Sequence, residues 1–341
     1  MTQDEFSLIR QWTSRSSGQH GDGLSVGIGD DAAVFSLSPG MEVVACCDAM
    51  VETVHFLRET MNPSDIGYKA VMSNISDVAA MGGLPRFALI SVAVSPGWSA
   101  DDCQQIYEGI YDACEAYGVR VIGGDTVSSP AALTLSVTLL GEVEKGRALR
   151  RSAARPGQLV FVTGQVGGSA AGLDLLLRSA KKGEAVAEEW RPLAWFHQRP
   201  QAQVAAGRIL AASPWAGALN DVSDGLASEL SEIAEASGVR LVIDERSIPV
   251  ANITRAYAIE TDQDPLGWAL YGGEDYQLVG TLEAAEVKEA ELRFAEKGIP
   301  FTVIGRVEAG EPSVWMDREQ GRMKIAKAGY NHFGGAEAGK G

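Results

Sequence analysis

Apolar positions in the first half of the chain fall into two patterns, short β-prone runs and longer stretches with helical spacing. The short runs are bounded by glycine, proline and acidic residues, which is typical of strands that end in turns. Because strands and helices alternate, this half is expected to form a mixed sheet with helices. The predicted strands are Glu42 to Cys47, which stops at Asp48, Phe87 to Val94, Val119 to Ile122, and Ala132 to Glu142.

Two helices are predicted between these strands. Asn62 and Pro63 have the order of an N-cap and a first helical residue, and the helix is expected to end at Gly82-Gly83. The second helix opens at Ser99 and stops at Gly118. Its apolar face consists of Cys103, Ile106, Tyr107, Ile110, Cys114 and Tyr117.

The pattern restarts after a basic stretch at Arg147 to Gly157, where a domain boundary is predicted. A strand at Leu159 to Thr163 precedes a helix over Ala170 to Leu177, and Ser223 is the expected N-cap of a helix over Asp224 to Ser237. We therefore predict an α/β (α+β) fold of two domains, with a mixed-sheet domain at residues 1–146, an α+β domain at 147–333 and a disordered tail at 334–341.

Charge narrows the choice of partners. The 341 residues carry a net charge of −16 and include 39 glycines, about 11% against an average near 7%. Duplex nucleic acid and anionic membranes need a basic footprint, so neither is an expected partner. The acidic N-terminus lacks the basic start of a signal peptide. The 4 cysteines form no C-x-x-C pair, so we expect no zinc site or disulfide framework and a cytoplasmic location.

Aspartates recur beside glycines at predicted turns and helix starts, although turns favour both residues on their own. Asp48 and Asp125 are expected just past the ends of strands, where α/β proteins place ligand sites. Carboxylates without cysteine or histidine clusters suit Mg²⁺, which takes one or two of them plus substrate phosphates. Several aspartates therefore imply several ions and phosphoryl transfer. The set is Asp30, Asp31, Asp48, Asp77, Asp125, Asp221 and Asp224.

The common nucleotide-binding motifs are absent. Gly141 to Gly146 has the spacing of a P-loop, but Arg147 follows where that loop has lysine. Gly164 to Gly168 follows a strand and fails G-x-G-x-x-G, which argues against a Rossmann oxidoreductase.

A series of other motifs occurs in one order along the chain. They are Gly27 to Ala33, Asp48 to Phe56, Ser73 to Gly82, Gly123 to Thr126, Asp221 to Leu226, Gly272 to Tyr276, Gly329-Tyr330 and His332-Phe333. In this order they closely resemble the thiamine-monophosphate kinase family, within the superfamily of aminoimidazole ribonucleotide synthetase. The resemblance implies a synthetase-like two-domain fold and a homodimer, with the active site between the domains and near the dimer interface.

The resemblance also implies an activity and its site. Such enzymes use ATP to phosphorylate thiamine monophosphate to thiamine diphosphate by direct in-line transfer with several Mg²⁺ ions, and we expect no covalent phospho-enzyme. The implied metal site comprises Asp30, Asp31, Cys46, Cys47, Asp48, Asp77, Asp125, Asp221 and Asp224. The implied ATP contacts are Tyr107, Gly124, Asp125, Arg151 and Ser223, and the implied substrate contacts are His55, Glu274 and Tyr330.

Some of these assignments have alternatives. Tyr107 also belongs to an apolar helix stripe, so packing in the core is an equal expectation. Glu274 suits either the aminopyrimidine or the thiazolium group of the substrate, and Asp275 is expected to brace the same turn. Cys46-Cys47 replace the family's usual Ser/Thr-Thr. Thiols are poor Mg²⁺ ligands, so metal contacts there would either come from backbone carbonyls or be lost. Thr53 replaces a usual glycine.

Related enzymes differ at identifiable places. A selenophosphate synthetase would carry a reactive cysteine or selenocysteine before Cys46, and a hydrogenase-maturation dehydratase would end in cysteine rather than Gly341. Aminoimidazole ribonucleotide synthetase remains the main enzymatic alternative. A non-catalytic protein that binds nucleotide or thiamine phosphate is the alternative from another class.

Overall fold

The computed structural model describes residues 5–16 and 21–329, and it places two main sheets and their covering helices there. The first half contains α1 (Glu5–Trp12), β1 (Leu24–Val26), β2 (Val34–Phe35), β3 (Met41–Val51), α2 (Pro63–Ala80), β4 (Leu84–Val94), α3 (Ala100–Ala116), β5 (Arg120–Ser128) and β6 (Thr134–Glu144). The predicted α/β class is confirmed. Tyr330, His332, Phe333 and the predicted tail lie outside the described residues.

The second half begins after β6 with a short 3-10 turn at Arg151–Ala153. Its elements are β7 (Leu159–Thr163), α4 (Gly168–Lys182), α5 (Arg191–Gln198), α6 (Val204–Ala211), β8 (Ala216–Asp221), α7 (Leu226–Ser237), β9 (Arg240–Asp244), α8 (Asn252–Thr261), α9 (Pro265–Tyr271), β10 (Leu278–Leu282), α10 (Val287–Glu296), β11 (Phe301–Glu308), β12 (Ser313–Arg318) and β13 (Gly321–Ile325). The predicted division between residues 146 and 147 stays a prediction.

The first sheet has the strand order β3-β6-β4-β5, in which only β4 and β5 run parallel. Helices α2 and α3 pack on it through a core that includes Ile75, Ile110 and Leu135, all fully buried. The two helices approach unusually closely because a Cβ at Gly67 or Gly109 would overlap backbone of the other helix. This contact fixes α2 against the sheet, and α2 carries much of the site.

The second sheet has the order β13-β12-β9-β11-β7-β10-β8, with β12 and β9 parallel and the other neighbours antiparallel. Helix α7 packs on it with Leu226, Leu230 and Ile233 buried in the core, as its apolar spacing predicts. Gly238 ends α7 in a left-handed conformation, which also agrees with the prediction.

Helix α2 joins the halves. The Ser76 hydroxyl on α2 donates to Asp221 Oδ2 at the end of β8, at 2.7 Å. Arg199, which follows α5, donates to Asp65 Oδ1 on α2 at 2.6 Å. Helix α2 of the first half is therefore held to the edge strand β8 and to the end of α5 in the second half. Among the described residues, no helix has the length and apolar content that crossing a membrane requires.

The helix starts agree with prediction only in part. Asn62 is the N-cap residue of α2 and Ser99 forms a capping box with Asp102 on α3, both at the predicted positions. Ser223 is not the N-cap of α7, because that helix begins at Leu226 after Gly225. The reason is Glu229, whose Oε1 accepts from the Asp224 backbone N–H and the Ser223 hydroxyl, so the segment before Gly225 forms a loop.

The predicted ends of two strands were wrong. Asp48 lies inside β3 and Asp125 inside β5, rather than past the strand ends. Strand β3 continues because β6 pairs with it as far as Val51, and β5 continues because β4 pairs with it as far as Ser128. Polar side chains are accommodated because the sheet leaves one face partly open to solvent.

Candidate active site

A cavity of about 1090 Å³ lies between the two halves. Strand β3 and helix α2 form one side, and α4, the loop after β8 and the segment before β10 form the other. An apolar wall on α4 and α9 is formed by Leu173, Leu177, Trp268 and Tyr271, none of which a motif had indicated. The cavity thus combines an apolar wall with acidic side chains.

Three carboxylates gather at one part of this cavity. Asp48 comes from β3, Asp77 from α2 and Asp221 from the end of β8. Burial and the neighbouring charges of Asp221 and Asp48 raise the pKa of Asp77 to about 7. Burial also raises the pKa of Asp221 to about 6, although the Ser76 hydroxyl opposes that shift. These side chains are close enough to disfavour one another's ionisation.

Asn74 on α2 holds the backbone beside Asp48. Its Oδ1 accepts from the Asp48 backbone N–H at 3.1 Å, and Asn74 is fully buried. Cys46 points toward Asn74, and burial together with Asp77 and Asp48 raises the pKa of its thiol. Cys47 lies on the other face of β3 and lines the cavity. The two thiols therefore face different surroundings.

The loop after β8 is braced by a buried carboxylate. Glu229 accepts from the Asn220 amide and from the Asp224 backbone, and burial raises the pKa of Glu229 to about 8. Asn220 Oδ1 in turn accepts from Arg151 Nε at 2.9 Å. Arg151 lines a second cavity of about 440 Å³ that Asp77 and Asp221 also border. The predicted ATP residue Arg151 thus lies beside the carboxylates, and Ser223 and Asp224 line the larger cavity.

Predicted substrate residues line another part of the cavity. His55 Nδ1 accepts from the Val51 backbone N–H at 3.0 Å, so a neutral His55 carries its proton on Nε2. Glu274 lies across from it with a positive φ of 66°. Lys69 Nζ donates to Glu274 Oε2 at 2.6 Å. Lys69 was missed by sequence reasoning because no motif spacing relates it to residue 274.

Asp275 braces the turn as predicted. Its carboxylate accepts from the backbone N–H groups of Gly167 and Ser169, at 2.6 and 3.0 Å. Burial raises the pKa of Asp275 to about 7, although these hydrogen bonds oppose the shift. These bonds occupy two donors at the N-terminus of α4. The glycine-rich turn there is consequently filled by the chain's own carboxylate instead of presenting those donors to a nucleotide.

Other predicted residues lie away from this cavity. Asp30 and Asp125 are exposed, and each accepts from the backbone N–H of the next residue, at 2.9 Å in both cases. Asp31 and Gly124 are exposed as well. Tyr107 is 4% exposed, stacks on Trp12 at 5.9 Å and has a pKa raised to about 12 by burial. Its hydroxyl bonds to Thr126, next to Asp125.

Strand register separates Asp48 from Asp125. Asp48, Val137, Ile90 and Gly124 are successive partners across β3, β6, β4 and β5. Asp125 follows Gly124, so it lies three strand spacings from the β3 edge, about 14 Å. One chain therefore does not bring these two aspartates together.

The described residues contain no group of three or more His, Cys, Asp and Glu side chains placed to hold a metal ion by themselves. The donor set nevertheless fits Mg²⁺. Asp48, Asp77 and Asp221 offer only hard oxygen donors. The pKa of Asp77 is raised by burial first and then by the charges of Asp221 and Asp48, and a cation would offset those charges. Because Mg²⁺ completes its shell with water and phosphate, an incomplete protein shell is consistent with it.

Comparison with known proteins gives consistent matches along the chain. Residues 29–143 match the model of the AIR synthase related protein N-terminal domain, and residues 155–317 match that of its C-terminal domain. Thiamine-monophosphate kinase of Bacillus subtilis (strain 168) is 43% identical over 335 residues, which cover 97% of this chain and 99% of the relative.

Two solved structures extend the comparison to three dimensions. Thiamine-monophosphate kinase from Stenotrophomonas maltophilia K279a superposes with a TM-score of 0.81 at 33% identity, over 93% of this chain and 98% of that one. The structure described as AaThiL complexed with AMPPCP and TMP gives 0.77 at 34% identity, over 96% and 97%. Both the sequence and the fold therefore agree with the motif-based resemblance, and this chain belongs to the thiamine-monophosphate kinase family.

Proposed function

We propose that this chain transfers the γ-phosphoryl group of ATP to thiamine monophosphate, yielding thiamine diphosphate and ADP. The observation that carries the proposal is the shared cavity, which the carboxylates of Asp48, Asp77 and Asp221 line together with the side chains of His55 and Glu274. An apolar wall beside them suits the rings of the acceptor. The membership of the chain in the kinase family supports the same reaction.

In this proposal the charged groups have separate roles in binding metal ions and substrate. Asp48, Asp77 and Asp221 hold Mg²⁺ ions, with Asp224 beside them. Bound Mg²⁺ would neutralise the phosphates and polarise the transferred group. His55, whose ring is oriented by the Val51 backbone N–H, contacts the substrate from the cavity wall. Glu274 accepts from the substrate, and the Tyr330 contact stays a proposal from the motif.

The test is product formation by purified chain with ATP, Mg²⁺ and thiamine monophosphate, followed by chromatography of the thiamine compounds. We expect stoichiometric ADP and thiamine diphosphate. If the chain instead converts the ribonucleotide substrate of aminoimidazole ribonucleotide synthetase, the result would favour assignment as that enzyme. Binding of both ligands without ADP release at any metal concentration would favour a non-catalytic protein. We further propose a cytoplasmic location, because the reaction needs ATP and the 4 cysteines fit a reducing compartment.

Arg151→Ala is expected to raise the KM for ATP by about tenfold, because a guanidinium beside the carboxylates can bind a phosphate oxygen. The KM for thiamine monophosphate should change less than about twofold. Arg147→Ala is the matched control, since Arg147 is exposed in the same basic stretch. Steady-state kinetics with each substrate varied in turn gives both constants. Equal effects of the two variants would remove Arg151 from the ATP site.

We propose that the active form is a homodimer that completes the site. The outer edges of β3 and β5 have no strand partner within residues 5–16 and 21–329, and Val43 and Val127 on them are 52% and 51% exposed. Unpaired edges favour association with another strand. Pairing of the β3 edge of one copy with the β5 edge of another brings Asp48 of the first near Asp125 of the second.

Mixing two inactive variants tests this arrangement. Asp48→Asn and Asp125→Asn chains are combined, unfolded and refolded together, and the mixture is expected to regain about a quarter of the wild-type activity. Half of the dimers are then mixed, and each has one site with both aspartates intact. A mixture of Asp48→Asn with Asp77→Asn is the control and should stay inactive. No recovery in the first mixture, or a mass near the single-chain 36.1 kDa in active solution, would contradict the proposal.

A further inference from the structure

Glu274 is joined by a buried lysine and a buried histidine. Lys69 on α2 has no solvent exposure, and His197 on α5 is 2% exposed. Lys69 Nζ lies 2.6 Å from Glu274 Oε2 and 3.3 Å from His197 Nε2. The Ser169 hydroxyl lies 3.1 Å from His197 Nδ1. The cluster thus joins α2 of the first half to α4, α5 and the segment before β10 in the second.

Charges within the cluster balance. Burial alone would raise the pKa of Glu274, but the Lys69 ammonium beside it holds that pKa below its usual range. Burial and Lys69 lower the pKa of His197 to about 3, so its ring is neutral. The adjacent acidic groups, Asp275 and Tyr276, have pKa values raised chiefly by burial, and neither adds a positive charge to the cluster. Burial lowers the pKa of Lys69 and the Glu274 carboxylate opposes that shift. At 2.6 Å the Lys69 ammonium and the Glu274 carboxylate form an ion pair without net charge.

The geometry leaves one carboxylate oxygen for a ligand. Lys69 and His197 both approach Oε2 of Glu274, at 2.6 and 3.4 Å. No described residue donates a hydrogen bond to Oε1, and the Glu274 side chain, 28% exposed, lines the cavity. The Glu274 backbone N–H donates to Ser223 O at 2.7 Å, which holds the segment in place. Oε1 is consequently a fixed acceptor whose charge is already balanced.

We propose that Lys69 is a positioning residue that determines acceptor specificity, because its ammonium makes Glu274 a directional hydrogen-bond acceptor instead of a general attractor of cations. This inference rests on the proposed function. Thiamine monophosphate offers an amino group on its pyrimidine ring, whereas its thiazolium ring has a fixed charge and no N–H. A charge-balanced acceptor favours the first group over the second. Glu274 therefore contacts the aminopyrimidine.

The test compares thiamine monophosphate with oxythiamine monophosphate, in which a carbonyl replaces the amino group. The unchanged enzyme is expected to prefer thiamine monophosphate by about a hundredfold or more in kcat/KM, because two acceptors would face each other in the other complex. Lys69→Met removes the ammonium at similar length, so Glu274 loses the cation that holds its pKa low, takes up a proton and can donate to a carbonyl. The preference of this variant for thiamine monophosphate should fall to about tenfold or less, because its KM for the acceptor changes. Its KM for ATP should stay within about twofold of that of the unchanged enzyme.

A double variant separates this role from a purely structural one. Glu274→Gln in the otherwise unchanged chain should raise the KM for the acceptor. In a chain that already carries Lys69→Met, the same substitution should raise that KM by less than about a further twofold. Arg199→Met is the matched control, because the Arg199–Asp65 ion pair also joins α2 to the end of α5. It is expected to lower the melting temperature and leave the preference unchanged. Multiplicative losses in the double variant, or an equal loss of preference in Arg199→Met, would overturn the proposal.

Direct titration keeps the inference testable if Lys69→Met does not fold or if the proposed phosphorylation is absent. The unchanged chain and Glu274→Gln are titrated calorimetrically with an aminopyrimidine fragment and with an N-alkylthiazolium fragment. We expect Glu274→Gln to weaken only the aminopyrimidine fragment, by about tenfold. Selective loss of the thiazolium fragment, or no binding of the aminopyrimidine fragment to the unchanged chain, would overturn the role of Lys69. A lack of ADP formation alone would instead overturn the proposed function.

Discussion

Asp48→Asn is expected to lower kcat for thiamine diphosphate formation by about a thousandfold or more, with the fold retained. Asp48 lies on β3 beside Asp77 and Asp221, and its backbone N–H is held by Asn74 at 3.1 Å. The amide keeps the size of the side chain and removes the negative charge that would hold a cation. Because Asn relieves repulsion among the three carboxylates, thermal stability should be unchanged or slightly higher.

A glutamate on the same strand provides the control. Glu42 is exposed on β3 and accepts from the Gly146 backbone N–H at 3.0 Å, away from the cavity. Glu42→Gln should keep kcat within about twofold, since it makes the same chemical change at an exposed site. Steady-state kinetics over a range of Mg²⁺ concentrations, with circular dichroism of both variants, gives the comparison. An Asp48→Asn enzyme with near-normal kcat would remove Asp48 from the metal site.

Gly124→Ala is expected to destabilise the chain by about 3 kcal/mol and to abolish ATP-dependent activity at assay temperature. A Cβ at Gly124 would overlap the carbonyl oxygen of Ile90 on the neighbouring strand β4. Backbone cannot move aside as a flexible side chain can, so β4 and β5 would have to separate. The glycine is thus required by strand packing, whatever its contact with ATP. Denaturant unfolding measures the loss.

Gly123→Ala is the matched control for that substitution. A Cβ at Gly123 would meet only the end of the Leu89 side chain, at 3.1 Å, and that side chain can rotate away. The expected change in the free energy of unfolding is below about 1 kcal/mol. Equal destabilisation by the two substitutions would show that the β4–β5 contact at Ile90 does not decide the outcome.

Local sequence signals predicted several helix ends correctly but placed strand ends poorly. The Ser99 capping box and the Gly238 stop depend on residues close in the chain, and both occur at the predicted places. The end of β3 depends on pairing with β6, which lies far along the chain, so a local apolar run could not place Asp48. Ser223 was misassigned for a different reason, since the nearby side chain of Glu229 competes for the groups that a cap would use.

In the candidate site, too, sequence motifs indicated some of the residues and missed others. The ordered motifs contain residues that the structure places in the lining of the cavity, such as Asp77, His55 and Glu274, while their roles stay predictions. Lys69 and His197 were missed because their roles arise from packing between α2 and α5, and an isolated lysine in a helix predicts only a solvated side chain. The separation of Asp125 from Asp48 likewise follows from strand order, which no local pattern encodes.

Transfer of a radioactive γ-phosphoryl group tests the central claim most directly. Enzyme is mixed with γ-labelled ATP, Mg²⁺ and thiamine monophosphate in a single turnover, quenched in acid, and the label is followed in protein, inorganic phosphate and thiamine compounds. We predict that label appears in thiamine diphosphate at the rate of ADP formation, with none on the protein at any time. Label on the protein before product, or label only in inorganic phosphate, would contradict direct transfer in this cavity.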